Sequence, residues 1–230
     1  MYRTFSKIQA ATSIAIFFHL VGLVGILFID QEQFTRYTPV NLMISFLLLV
    51  WTQREKNIHF LYFLSFVILF GFSVELTGIH TGWIFGDYNY GNVLGPLWFS
   101  VPLIIGINWV IIIYCCGIST HNLFTRAVRK LEEGSRPVSR GIKGLSVIVD
   151  GAILAVAFDW LMEPVAVKLG FWTWHGDGAI PLSNYFTWFV VSALMLTVFH
   201  FLRFKKQNKF AINLLLVQAL FFLLLRTFLK

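Results

Sequence analysis

The sequence predicts an all-α polytopic bundle of about seven transmembrane helices, and three observations carry that prediction. The chain of 230 residues is 57% apolar and only 13% charged, with a mean hydropathy of +0.75, well beyond the apolar content of water-soluble domains. Seven apolar segments, roughly 8–29, 38–52, 57–78, 97–118, 144–163, 183–203 and 210–229, approach the ~20 residues a span needs. Fourteen of the 18 Lys and Arg residues sit at one set of segment ends. Only Arg36, Lys168, Arg226 and Lys230 sit at the other. The positive-inside bias puts the N-terminus in the cytoplasm and the C-terminus outside, which demands an odd number of spans. The net charge of +7 is thus an orientation signal and not a nucleic-acid surface.

Residues 1–230 read as a single transmembrane domain, a multi-pass protein of the cell (inner) membrane. The first apolar run ends Ile29-Asp30-Gln31-Glu32 with no small-residue cleavage site, so it is expected to stay as the first span. The second span is short, with Thr38-Pro39 as N-cap and first helical position and Gln53-Arg54-Glu55-Lys56 ending it. Cys115 and Cys116 adjoin within the fourth span and are expected to be small core residues. In that span Pro102 should kink the helix and free the carbonyl of Trp98. The basic connector 119–143, with Gly134, Pro137 and Gly141, reads as a solvated cytoplasmic loop beside lipid headgroups.

Two outer loops, 79–96 and 164–182, differ from the others. Each follows a span ending in Glu, contains Gly, Trp and Gly-Asp, and reaches a Pro that opens the next span. They form a faint internal repeat of helix–loop–helix units. Their aromatic and glycine content points to ordered lids buried in protein, where irregular backbone is tolerated at membrane depth.

The acids carry the functional argument, because an ionised carboxylate within a bilayer costs several kcal/mol and usually marks a function. Asp159 and Glu163 are four residues apart and share a helix face with Gly151, Ala152 and Ala155. Small residues there allow close helix packing or leave room for a ligand. Glu75 lies near the same end of the third span, and Asp87 lies in the loop after it. Crowded acids in a dry site cannot all ionise, so one would keep a proton to donate while another serves as base. Asp150 falls on the opposite helix face from Asp159 and reads as a satisfied polar residue. Asp177 reads as a turn acid.

Aromatic residues surround these acids: Tyr88, Tyr90, Trp98, Trp109, Trp172, Trp174 and Trp188, with Asn184 adding a polar wall. They fit an interfacial belt or a set of ring faces that stabilise a transient carbocation. No His box of the di-iron type, Asp-rich diphosphate motif, Gly-rich nucleotide loop or lysine inside the seventh span occurs. His80 and His175 are too irregularly placed to signal a metal.

Several segments resemble the integral-membrane carotenoid biosynthesis family, whose characterised members are carotenoid 1′,2′-hydratases such as the bisanhydrobacterioruberin and γ-carotene hydratases. The resemblance rests on Glu75-Leu-Thr-Gly78, Thr81-Gly-Trp-Ile-Phe-Gly-Asp-Tyr-Asn-Tyr90, Leu94-Gly-Pro96, Pro102 and Trp109. It rests equally on Asp159-Trp-Leu-Met-Glu-Pro164, Gly170-Phe-Trp-Thr-Trp174, Ile180-Pro-Leu-Ser-Asn184 and Trp188, and covers roughly residues 60–205. Glu163 stands where Asp is common in the family, and Thr187 where Gly is frequent.

The resemblance implies cofactor-free, metal-free addition of water to the terminal isoprenoid double bond of an acyclic carotenoid taken from membrane lipid. Asp159 and Glu163 would be the acid/base pair, with Glu75 and Asp87 supporting them or activating water. Two other readings stay open at this point. One is a cyclase or isomerase using the same acid, and the other is a non-enzymatic carotenoid-binding protein or proton-coupled transporter.

Overall fold

The computed structural model describes residues 6–132 and 140–229. Seven of its helical segments are long and apolar enough to cross a membrane. The first joins α1 (Lys7–Val24), capped by a Ser6/Gln9 capping box, to a π-helical turn at Gly25–Ile29. Gly25 is required there, because a Cβ would lie 1.9 Å from the ring of Phe34. Asp30 then N-caps the short α2 (Gln31–Thr35), and α3 follows over Thr38–Thr52. The second segment is therefore full length at Gln31–Thr52, longer than the sequence reading allowed. Tyr37 takes the N-cap position of α3, and the Thr38 hydroxyl donates back to the Thr35 carbonyl instead.

The third segment, α4 (Ile58–Thr81), is N-capped by Asn57 and stops at Gly82, whose φ of 68° is the left-handed conformation of a C-terminal glycine. The fourth, α5, spans Ile105–Glu132. Its start at 105 corrects the expected 97–118. Residues 97–102 instead form a tight hairpin, β2 (Leu97–Trp98) against β3 (Val101–Pro102). The hairpin turn puts Phe99 and Ser100 at φ 47° and 65°, as a two-residue turn with both central residues left-handed demands. Pro102 thus precedes the helix and does not kink it. Cys115 and Cys116 are buried in α5.

The fifth segment belongs to α6 (Arg140–Lys168), which does not end at Glu163 but runs on through Pro164. Proline at 164 has no N–H for the carbonyl of Trp160, one turn earlier. That carbonyl accepts a 2.9 Å hydrogen bond from Arg226 of α8 (Lys209–Phe228), whose guanidinium also lies 4.1 Å over the Trp160 ring. The helix-interrupting proline is therefore Pro164, and its freed carbonyl is recaptured, as an apolar surround requires. The expected connector 119–143 is mostly helical. Gly134 and Pro137 lie outside the described residues.

The sixth segment is α7 (Leu182–Phe201), N-capped by Pro181, and α8 is the seventh. At the centre stands α5, whose spanning stretch is 61% buried against 22–39% for the others. Helix α6 packs chiefly on α7 and α5, and α1 on α8. Asp150 is exposed on α6 and accepts a hydrogen bond from Ser146, in keeping with a satisfied polar residue.

The two glycine- and aromatic-rich loops meet each other. Strand β1 (Tyr88–Tyr90) pairs antiparallel with β4 (Trp172–Trp174), placing Tyr88 opposite Trp174 and Tyr90 opposite Trp172. The approach is close: a Cβ on Gly91 would sit 2.2 Å from the Gly170 carbonyl oxygen. This ladder closes the end of the bundle where α4 and α6 terminate.

Candidate active site

Glu75, Asp159 and Glu163 are 6%, 0% and 1% exposed. Each is near enough to the other two to interact electrostatically. Among the described residues none of the three forms an ion pair. Neutral donors hold them instead.

Glu75 lies on α4, with Gly71 one turn before it. A Cβ at Gly71 would come within 2.8 Å of Trp109 Cδ1, so the missing side chain is what admits the indole. Trp109 donates its Nε1–H to Glu75 Oε1 at 3.0 Å and stacks on Trp188 with centroids 4.2 Å apart. Glu75 Oε2 accepts from the hydroxyls of Tyr88 at 2.6 Å and Tyr90 at 2.8 Å. Alternate residues of a strand face one side, so both tyrosines reach the same carboxylate. Burial first, then the Glu75 charge, pushes both hydroxyls above the ordinary tyrosine range, which keeps them protonated donors.

Glu163 is held in the same manner by the other strand. Trp172 and Trp174 donate to its Oε1 at 2.7 and 2.6 Å. The internal repeat foreseen in the sequence thus has a physical form: each helix carries a Glu gripped by alternate aromatics of the strand that follows it. The ladder faces the acids with four donors, while between them Asn89 points away to His175 at 2.7 Å.

Asp159, one turn from Glu163, accepts from Asn184 Nδ2 at 3.0 Å through Oδ2. Its Oδ1 is buried and receives no N–H or O–H donor among the described residues, while the Asp159 and Glu163 carboxyl groups lie within hydrogen-bonding reach of each other. Indole and amide N–H groups only donate, so the oxygens they reach cannot be O–H groups. A tyrosine hydroxyl can also accept, so a proton on these acids fits Asp159 Oδ1, Glu163 Oε2 or Glu75 Oε2.

Between the acids lies a cavity of about 30 Å³, enough for a water molecule. Glu75, Glu163, Tyr88, Tyr90, Asn184 and Trp188 contribute to its wall, and Asp159 lies behind that wall. The small face of α6 serves packing: Ala152 and Ala155 are fully buried, and a Cβ at Gly151 would meet Leu196 at 2.8 Å.

Two expected members lie elsewhere. Asp87 is solvent-facing, its side chain 75% exposed and 3.6 Å from His175. It lies in the bend just before β1, whose first residue, Tyr88, turns inward. Trp98 belongs to the β2–β3 hairpin, is exposed, stacks on Phe72 and lies tilted against Phe99. Conversely, Phe85, Ile105, Asn108 and Met162 line the cavity without having been singled out. Asn108 and Met162 adjoin Trp109 and Glu163 in sequence, the only hint available. No group of three His, Cys, Asp or Glu side chains among the described residues is arranged to hold a metal.

A family model described as carotenoid biosynthesis protein matches residues 37–230. The bisanhydrobacterioruberin hydratase of Haloarcula japonica is 26% identical over 136 residues, covering 58% of this chain and 42% of the relative. The chain thus matches less than half the length of that curated relative. No solved structure matches the chain. The match over residues 37–230 takes in every acid and every aromatic donor of the site, and the chain belongs to the carotenoid biosynthesis protein family.

Proposed function

We propose that the chain is a cofactor-independent carotenoid 1′,2′-hydratase of the cell membrane, adding water to the terminal isoprenoid double bond of an acyclic carotenoid. The carrying observation is three buried, mutually close carboxyl groups without a cationic partner among the described residues, two of which, Glu75 and Glu163, line a water-sized cavity. Three ionised carboxylates at such a place would repel one another in a medium that solvates none of them. At least one is therefore neutral, and a neutral carboxylic acid is what alkene protonation needs.

In this reading Glu163 faces the alkene and donates from Oε2 to its less substituted carbon. The π bond breaks, a C–H bond forms, and a tertiary cation is left on the neighbouring carbon. Glu75, an acceptor for three donors, supplies negative charge beside that cation. The stacked indoles of Trp109 and Trp188 supply a π face. Water in the cavity attacks the cation, a C–O bond forms, and the surplus water proton passes to the carboxylates. Asp159, behind Glu163, returns a proton to it, so the net change is one water added. Five aromatic donors hold Glu75 and Glu163 in place before the substrate arrives, which is the preorganisation that electrostatic catalysis uses.

The test is expression in bacteria that accumulate an acyclic carotenoid, with pigments weighed by mass spectrometry. A product heavier by one water supports hydration. An isomer of unchanged mass would make the chain a cyclase or isomerase, and unaltered pigment would make it a binder or carrier. Glu163→Gln, which keeps an acceptor for both indoles, should abolish the new pigment while the protein still inserts.

A further inference from the structure

A second cavity, of about 60 Å³, adjoins the acid cavity and shares Ile105, Asn108, Met162 and Trp172 with it. On its far side it shares Ile26, Thr38, Asn41 and Phe221 with a groove of about 230 Å³ between α1, α3 and α8. That groove is walled by Phe18, Val21 and Val40, which face outward on helices long enough to span a membrane. The three spaces adjoin in series from the carboxylates to the surface that lipid would cover, and movement of the shared side chains would join them into one apolar passage.

Halfway along it stand three polar side chains that the acid site does not use: His19, Asn41 and Gln218. His19 and Gln218 are 5% and 6% exposed. His19 Nδ1 lies 2.8 Å from the Ala15 carbonyl, which only accepts, so Nδ1 carries the proton and Nε2 of the neutral ring offers a lone pair. The amide Nδ2 of Asn41 lies 3.5 Å from that Nε2, and Asn41 Oδ1 is buried with no partner among the described residues. The cluster therefore presents an unfilled buried acceptor, Asn41 Oδ1, beside the weakly engaged Nε2 of His19, and buried acceptors left empty are costly. A hydrocarbon chain gives them nothing, whereas an alcohol gives them an O–H.

We infer that His19, Asn41 and Gln218 form an alcohol-binding station on the passage, taking the hydroxyl of a hydroxylated isoprenoid chain end. The inference rests on the proposed hydration, because the acid cavity would make such an alcohol and the passage leads it back to the bilayer. The station lets the product leave the acids without stranding its hydroxyl in an apolar channel.

The test is equilibrium binding, read as quenching of tryptophan fluorescence, with lycopene and its 1-hydroxy derivative as probes. The full chain is used with Asp159→Asn, so that neither probe is converted during the measurement. The alcohol should bind about tenfold more tightly than the hydrocarbon, as one buried hydrogen bond gives. Adding Asn41→Leu or Gln218→Leu should reduce that preference to about threefold or less. If one of these variants does not insert, the other and His19→Phe give the same reading.

Equal affinity for the two probes would overturn the station and make the cluster a water site. A preference that survives Asn41→Leu and Gln218→Leu would overturn it as well. Failure of the hydration reading is a separate result: wild-type protein would then leave lycopene unconverted whatever its binding preference.

Discussion

Replacing Asp159 by Asn isolates the proton from the shape. The Asn side chain is nearly isosteric, and its amide oxygen can occupy the Oδ2 position and keep the 3.0 Å bond from Asn184. The amide nitrogen then takes the place of Oδ1, which no N–H or O–H donor reaches and which belongs to a carboxyl group within hydrogen-bonding reach of Glu163. An amide donor there finds an acceptor in the Glu163 carboxyl group, so the variant should insert, fold and melt within about 1 kcal/mol of wild type. What it loses is a titratable proton next to Glu163, and proton donation contributes about 10²–10⁴-fold in rate. At 1.36 kcal/mol per tenfold, that is a barrier higher by ~3–5 kcal/mol. The assay is pigment conversion by mass spectrometry, normalised to membrane-inserted protein, with melting followed in parallel. Asp159→Ala is the contrast, because it strands the Asn184 amide and should lose stability and turnover together. An Asp159→Asn protein retaining more than about a tenth of the conversion would refute a role for this acid in proton transfer.

Other expectations follow from single contacts. Asp87→Asn should leave conversion within about twofold of wild type, as surface substitutions commonly do; a large loss would return Asp87 to the mechanism. Gly71→Ala pushes a Cβ to within 2.8 Å of Trp109 Cδ1, so it should lower conversion and weaken the near-ultraviolet circular dichroism of the stacked Trp109–Trp188 pair. Arg226→Gln removes the guanidinium that caps the Trp160 carbonyl and should cost about 1–3 kcal/mol in thermal stability, measured by melting in detergent. Tyr88 and Tyr90 ionise less readily in the fold than in the unfolded chain. Their stabilisation is complete below about pH 10 and declines as pH rises beyond it. Melting curves from about pH 8 to about pH 11 should show that decline, and Tyr88→Phe should flatten it.

The span count and the burial of Glu75, Asp159 and Glu163 were legible in the sequence, because each follows from composition or from intramembrane charge, whereas the pairing of the two loops through β1 and β4 was not. Helix ends were less so. The run at 97–102 is apolar enough to continue a span, yet Pro96, Pro102 and the left-handed Phe99 and Ser100 fold it into a hairpin. Pro164 reads as a helix terminator until Arg226, 62 residues later in the chain, supplies the missing partner. Asp87 was placed with the acids by proximity in sequence, but it lies in the bend just before β1 and faces solvent. The aromatic residues were identified without their polarity: N–H and O–H edges grip the carboxylates at Glu75 and Glu163, a role that ring content alone does not disclose. His19, Asn41 and Gln218 stand one to a span, and only the packing of α1, α3 and α8 makes them neighbours.

The three-rung pairing of β1 with β4 has a kinetic corollary. Because the strand that clamps Glu75 is zipped to the strand that clamps Glu163, neither acid can shed its clamp alone. Any motion that peels the two ribbons apart withdraws all four donors at once and floods both acids with solvent. The acid pocket should thus be assembled or dismantled as one cooperative unit, with no half-clamped intermediate in which one acid alone is released.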